Sequence, residues 1–199
     1  MLFDNILNIN ISNEHISVKP YSQVDYDSLN SYFDAELQTY SIKEHDNFFS
    51  FINEKIYQQK SGELIPLTIY GKNGEALGLT CIYEIDAQHK SVEVGATWLA
   101  KRYQGTGYNL IFKYYLFKTL IEDFKLNRIQ LKADAENLRS VGAMKSIGLN
   151  YKGKLLSHKV VKDSRVRDTE MFSITQNTWL DIKTFMLDKL YQKFAGSRW

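Results

Sequence analysis

The chain has 199 residues, of which 44% are hydrophobic and 14% aromatic, enough for a packed α/β core and far from the disordered class. Its formal net charge of +2 gives no electrostatic case for nucleic-acid binding. The one cysteine, Cys81, excludes an intrachain disulfide and a cysteine metal cluster, and suits a reducing, cytoplasmic setting.

The first residues, MLFDNILNINISNEH, have no basic leader and carry Asp4 early, so they read as a poor signal peptide. No run of about 18 apolar residues occurs, which argues against a membrane span. Two prolines and the absence of a Gly/Ser-rich linker make 1–199 read as one domain.

Residues 1–14 read as an extension that packs loosely or pairs with a sheet edge. Ile16 to Tyr21 is a first predicted strand, ended by Pro20. Val24 to Leu37 has a rough helical period. Ile42 to Lys60 has a better one, with Phe48, Ile52 and Ile56 every four residues, Phe49 beside them and Gly62 as a stop. That aromatic stripe reads as core. Leu64 to Tyr70 and Ala76 to Ile85 are strands two and three, joined by the hairpin signal GKNG. In the latter, Leu77, Leu79, Cys81, Tyr83 and Ile85 share one face. Cys81 reads as a small buried hydrophobe rather than a nucleophile.

The fourth predicted strand opens the stretch SVEVGATWLAKRYQGTGYN, residues 91–109. Val92, Val94, Ala96 and Trp98 alternate with Glu93, Gly95, Thr97 and Leu99. A turn with Gly105 and Gly107 follows, then a helical pattern from Leu110 to Lys125. In it Lys113, Lys118 and Glu122 fall on the solvent side. Strand, glycine turn and helix N-terminus aim backbone N–H groups at one point, which suits an anion such as phosphate. Taken alone, the same residues also fit an ordinary strand-to-helix connection.

Arg128 to Ala133 is strand five, reached through a helix and so expected to run parallel to strand four. Asn137 to Ile147 is a short helix closed by Gly148. Tyr151 to Val161 and Val166 to Ile174 form a hairpin around KDSR. The residues from Asn177 onward, 177–199, form a C-terminal helix carrying Trp179, Ile182, Met186 and Leu190. The order specifies an α+β sandwich with a mixed sheet.

The chain resembles the GNAT acetyltransferase superfamily, in the branch similar to RimJ/RimL-type ribosomal-protein N-acetyltransferases. Arg102, Gly105 and Gly107 match the superfamily's phosphate motif: Arg or Gln, two residues, Gly, one residue, then Gly or Ala. Glu93, Gly95, Trp98 and Leu99 match the branch's phrase E-x-G-x-x-W-L-x-P, with Lys101 where Pro is usual. Asn137, Ser140, Ala143 and Gly148 match its N-x-x-S…A…G pattern, and RVRDTEMFSI is similar to its closing hairpin. The resemblance spans Ile16 to Trp179.

It implies a GNAT-like α/β/α sandwich with a mixed, mostly antiparallel sheet splayed between strands four and five. It implies acetyl-CoA as cosubstrate, with no metal. The amides of Gln104, Gly105, Thr106, Gly107 and Tyr108 would cradle the pyrophosphate, with Arg102 and Asn137 beside the ligand. The backbone at Trp98 and Leu99 would pair with the pantetheine arm. The partner would be an amine acceptor, a protein N-terminus or a small molecule, with no nucleic acid or membrane. The open sheet edge and last helix would suit a homodimer.

Acetyl transfer needs a neutral amine and a proton for the departing thiolate. Glu93 is the first candidate base; it also reads as a plain strand-surface carboxylate. His158 is a second candidate, since Gly153 to Lys162 holds no acid where RimL-like enzymes carry one; it also reads as a structural histidine. Ser140 matches the position proposed as thiolate acid, and also reads as a first-turn helix serine. The superfamily's usual tyrosine acid falls at Met144. His15, His45 and His89 are scattered and give no metal site. Two other readings share these residues: a non-catalytic acyl-CoA-binding domain, and a different phosphate binder, although no P-loop lysine follows Gly107.

Overall fold

The computed structural model describes residues 2–194. Eight strands form one sheet: β1 (Ile11–Ser12), β2 (Ile16–Pro20), β3 (Leu64–Gly71), β4 (Ala76–Asp86), β5 (Ser91–Leu99), β6 (Arg128–Asp134), β7 (Asn150–Val160) and β8 (Val166–Thr175). Their order is β1-β2-β3-β4-β5-β6-β8-β7. Neighbours are antiparallel except β5 and β6, which run parallel as their connection requires.

Six α-helices accompany the sheet: α1 (Leu2–Leu7), α2 (Tyr26–Asn30), α3 (Phe48–Lys60), α4 (Tyr108–Lys118), α5 (Leu138–Ser146) and α6 (Gln176–Lys193). Two hydrophobic clusters form. The larger joins α1, α4, α5 and α6 to the sheet through residues such as Ile6, Phe112, Phe117, Met144 and Met186. The smaller joins α2 and α3 to it through Leu29, Phe48, Phe51, Ile52, Leu79, Cys81 and Trp98. This is an α+β sandwich with a mixed sheet.

Local chemistry accounts for the helix ends. Asn47 caps α3 by accepting from the Ser50 N–H at 2.9 Å, and Gly62 takes φ +80 just beyond its end. The predicted helix at 42–60 therefore begins only at Phe48. Val24 to Leu37 breaks into short 3₁₀ and α turns rather than one helix. In α6, Trp179, Ile182, Met186 and Leu190 are buried as the period predicts, each contributing on the order of 2 kcal/mol. The predicted residues 195–199 of that helix lie outside the described ones.

Of the two alternatives for the N-terminal residues, pairing with an edge holds, through β1, with Ile6 and Ile9 buried in the larger cluster. Two expectations are corrected. Lys113 is not exposed: α4 turns it inward, and only 6% of its surface remains accessible. Glu122 is half-buried, accepting from Trp179 Nε1 at 2.8 Å and lying 2.6 Å from Lys183 Nζ.

β5 does not alternate cleanly. Gly95 faces Cys81 and Trp98 faces Leu79, so β5 spends an extra residue there, and Ala96 sits at φ +46. This bulge flips the strand's faces. Val92, Val94 and Leu99 join the larger cluster, while Trp98 turns to the smaller one. A matching irregularity between Ile69 and Tyr70 moves Leu77 away from the face of Leu79 and Cys81.

Candidate active site

β5 and β6 pair over three positions only: Ser91 with Arg128, Val92 with Ile129 and Glu93 with Gln130. Beyond Glu93 the strands separate, and β6 continues against β8 alone. The rest of β5 therefore presents unpaired backbone groups to a gap, a place for an extended chain to add itself. A cleft of about 1430 Å³ opens there. It is lined from one end to the other by Gly105, Gly107, Trp98, Ser140, Glu93 and His158, among others.

One end is the turn into α4. Gly105 has φ +74 and Gly107 φ +111, the left-handed region that favours glycine. A Cβ on Gly105 would meet nothing within 4 Å, so its backbone is open to approach. Gly107 is the N-cap of α4, and no side chain caps that end. The first N–H groups of the helix have no intrahelical acceptor and point outward. This cradle fits a pyrophosphate. Gln104 steadies it, donating from Nε2 to the Leu99 carbonyl at 2.8 Å. Lys193, at the end of α6, donates to the Gly105 carbonyl at 2.8 Å and brings a cation to the same turn.

Not every predicted binding residue lines the cleft. Arg102 stands between the rings of Tyr32 and Tyr103, 4.7 and 4.9 Å from their centroids, and also bonds to the Tyr32 hydroxyl. Thr106 donates to the Tyr103 carbonyl at 2.6 Å, and the Tyr108 ring packs edge-on against Tyr103. These three side chains build the turn. The Gln104 amide, expected in the cradle, is instead committed to the Lys101 carbonyl at 3.2 Å, which closes the 3₁₀ turn before it. Trp98 and Leu99 do line the cleft. The Trp98 ring, however, lies among Phe33 and Phe48, with Nε1 buried and unbonded.

The N-terminus of α5 also lines the cleft. Asn137 caps it, accepting from the Ser140 N–H at 2.9 Å. The Ser140 hydroxyl makes no hydrogen bond to a described residue, so its proton is available to the cleft. Met144 is buried behind it.

The other end carries both candidate bases. Glu93 is mostly buried, and burial raises its carboxyl above the ordinary value, although Lys132 Nζ lies 2.7 Å from it and pulls the other way. His158 is placed by a bulge in β7, where Ser157 takes φ +49. Its Nδ1 is 3.1 Å from Thr169 Oγ1. Burial, then Lys159, Lys132 and Arg167, lower its pKa, so it is neutral at pH 7. The structure thus brings Glu93, Ser140 and His158 to one cleft.

Two cleft residues escaped the sequence reading. Lys113 points in from α4 with no hydrogen-bond or ion-pair partner among the described residues, and burial lowers its amine to about 8. Its place between Leu110 and Phe117 on the apolar stripe was the available signal. Arg167 enters from β8, 7% exposed, and no local pattern marked it. Cys81 is buried, and burial raises its thiol to about 11, which makes it inert. Among the described residues no group of His, Cys, Asp or Glu converges as metal ligands, and no helix is long and apolar enough to cross a membrane.

Comparison with known proteins agrees with this geometry. The family described as acetyltransferase (GNAT) domain matches residues 16–150. A GCN5-related N-acetyltransferase from Brucella melitensis superposes with a TM-score of 0.83 at 18% identity, covering 96% of this chain and 90% of that one. Spermidine N-acetyltransferase from Vibrio cholerae, solved with CoA and spermine, gives 0.70 at 18%, covering 84% and 99%. Ribosomal-protein-S5-alanine acetyltransferase from Vibrio fischeri gives 0.69 at 17%, covering 86% and 99%. No curated protein matches the chain in sequence.

Proposed function

The chain belongs to the acetyltransferase (GNAT) family, and from that membership we propose that it acetylates the α-amine of a protein N-terminus or of a small molecule, as a RimJ/RimL-type enzyme would. It is an acetyl-CoA-dependent N-acetyltransferase. The observation that carries the finer reading is the splay of β5 from β6 directly after Glu93, which sets a phosphate turn at one end of a cleft and two candidate bases at the other.

Bound acetyl-CoA supplies the thioester whose acyl group is transferred. The turn at Gly105 and Gly107 would hold its pyrophosphate by backbone N–H groups, helped by the positive end of α4 and by Lys193. The unpaired edge of β5 would align its pantetheine arm. Asn137, whose side-chain oxygen caps α5, would have its amide nitrogen left to bond the arm. Ser140 Oγ–H, unbonded among the described residues and lining the cleft, would donate a proton to the departing thiolate, a role Met144 cannot take.

The base has a modest task. An α-amine has a pKa of about 7.7–8.0, so roughly one-tenth is neutral at pH 7. Glu93 Oε2 would take the ammonium proton, directly or through water, with Lys132 holding the carboxylate in place. His158, neutral and open to the same space, is the alternative acceptor of that proton. Incubating acetyl-CoA with a library of peptides and small amines, and reading both CoA thiol release and acceptor mass, tests the proposal. Acetylation of α-amines supports it; turnover confined to lysine side chains or to polyamines would overturn it.

A further inference from the structure

We infer that Arg167 receives a carboxylate carried by the amine acceptor. The inference rests on the acetyl-transfer reading above and names the acceptor's chemistry.

Arg167 lies on β8 two residues before Thr169, on the same face. It lines the cleft at the end that holds Glu93 and His158. Its side chain makes no hydrogen bond, and Nε is sealed from solvent without an acceptor. Its ion contact among the described residues is Asp134 Oδ2, at 3.9 Å. That oxygen is already engaged by Arg165, and Oδ1 accepts from the Glu136 N–H at 3.0 Å. Asp134 is thus oriented toward those two donors and stands beyond hydrogen-bond reach of Arg167.

A guanidinium cannot shed its charge, and burying it without acceptors is costly. Its planar fork matches a carboxylate in two parallel hydrogen bonds. Both signs of charge surround it: Lys159 stands opposite Arg167 in the β7–β8 register and Arg165 acts on it, while the carboxylates of Asp134 and Glu93 attract it without forming a hydrogen bond. The phosphates of acetyl-CoA would be held at the far end, by the glycine turn, so they are not the missing anion. An acceptor with a carboxylate near its amine would satisfy Arg167 and place the nitrogen near Glu93 and His158. A polyamine would bring a second cation toward Arg167 instead. The carboxylate has two sources: the α-carboxylate of a free amino acid, or an Asp or Glu side chain at the start of a peptide.

The test is binding and turnover on the intact protein in the presence of CoA or acetyl-CoA. Two matched pairs are compared: alanine against alaninamide, and a peptide beginning with Asp against the same peptide beginning with Asn. Spermidine is the cationic control. We expect the wild type to prefer the acid of at least one pair by roughly ten- to a hundredfold in Kd, and the preferred pair names the source. Arg167→Met should abolish that preference, and Arg167→Lys should keep part of it. Equal binding of acid and amide in both pairs by the wild type overturns the inference without any variant. So does a preference that persists in a folded Arg167→Met. Absence of CoA release with every amine would strike the acetyl-transfer proposal, while the binding arm would still decide the role of Arg167.

Discussion

Lys132 Nζ lies 2.7 Å from Glu93 Oε2 and 2.9 Å from Glu84 Oε1, so one ammonium joins a carboxylate inside the cleft to one at its rim. Burial works against the Lys132 charge, but its bonds to Glu84 and Glu93 carry its pKa above the ordinary value. Burial likewise raises Glu93, and Lys132 restrains that rise. Burial thus leaves Glu93 more basic than an exposed carboxylate, which suits a general base.

From this pair we expect Glu93→Gln to lower kcat/KM by roughly 10²-fold or more, the scale of a lost general base. Activity should fall as pH drops through the raised Glu93 pKa. Lys132→Met removes the restraint, so the acid limb of the pH profile should move to higher pH. Steady-state rates from pH 5 to 9 check both. An unchanged rate in Glu93→Gln, with His158→Ala crippled, would transfer the role to His158.

Acetyl-CoA at about 100 times its Kd should raise the unfolding free energy by about 2.7 kcal/mol. A substitution at Gly107 is a poor probe of the cradle, because its Cβ would run into the Phe194 ring. Gly105 is better, since a Cβ there meets nothing within 4 Å. Asn and Asp tolerate its positive φ better than other residues. Gly105→Asn should keep most of the ligand-induced shift, whereas Gly105→Asp should lose it by repelling phosphate. Thermal unfolding with and without acetyl-CoA measures this, and equal shifts in the two variants would remove the phosphate from this turn.

Lys113 gives a stability prediction with a definite sign. Its folded pKa of about 8 lies below the ordinary 10.5, so the unfolded chain binds the proton more tightly. Below pH 8 the amine is protonated in both states, and the fold carries the full burial cost, on the order of 3 kcal/mol. Stability from this group rises as pH climbs from about 8 to about 10.5. Lys113→Met should therefore be more stable than wild type at pH 7, with the gap closing near pH 10.5. Denaturant melts across that range decide it, and a gap independent of pH would contradict the burial argument.

Acceptor choice follows from deprotonation. A lysine amine near 10.4 is about 2.4 units harder to deprotonate than an α-amine, a cost of about 3 kcal/mol. Glu93 is the candidate base here and is already tied to Lys132, so it has little capacity to offset that cost. A peptide with a free N-terminus and no lysine should be acetylated faster than the same peptide blocked at its N-terminus and carrying an internal lysine. Mass spectrometry of the competing pair reads the outcome, and faster lysine acetylation would show the reverse preference.

Much of this protein was legible along the chain. The strand at Ser91–Leu99, the Gly105 and Gly107 turn, the helix after it, the GKNG hairpin and the stripe of Trp179, Ile182, Met186 and Leu190 are all local signals. Periodicity records which residues must meet apolar surface, and glycine spacing records where the backbone needs positive φ. These depend on near neighbours, so sequence alone determined the order of the main elements from β2 onward, the mixed sheet and the glycine turn before α4. Three things were decided only by tertiary pairing. The bulges at Ala96 and Ser157 arise from β5 meeting β4 and β7 meeting β8, with non-glycine residues held at φ +46 and +49. They turn Trp98 away from its predicted face and aim His158 inward. Lys113 is buried because other elements close over the α4 face it shares with Leu110 and Phe117; the stripe hinted at this, but only packing seals the amine from an acceptor. Arg167 lacks an acceptor because Asp134, oriented by Arg165 and the Glu136 N–H, stands 3.9 Å from its Nε. Charge and hydrogen-bond satisfaction are properties of everything within a few ångströms of a group, and those neighbours come from distant parts of the chain.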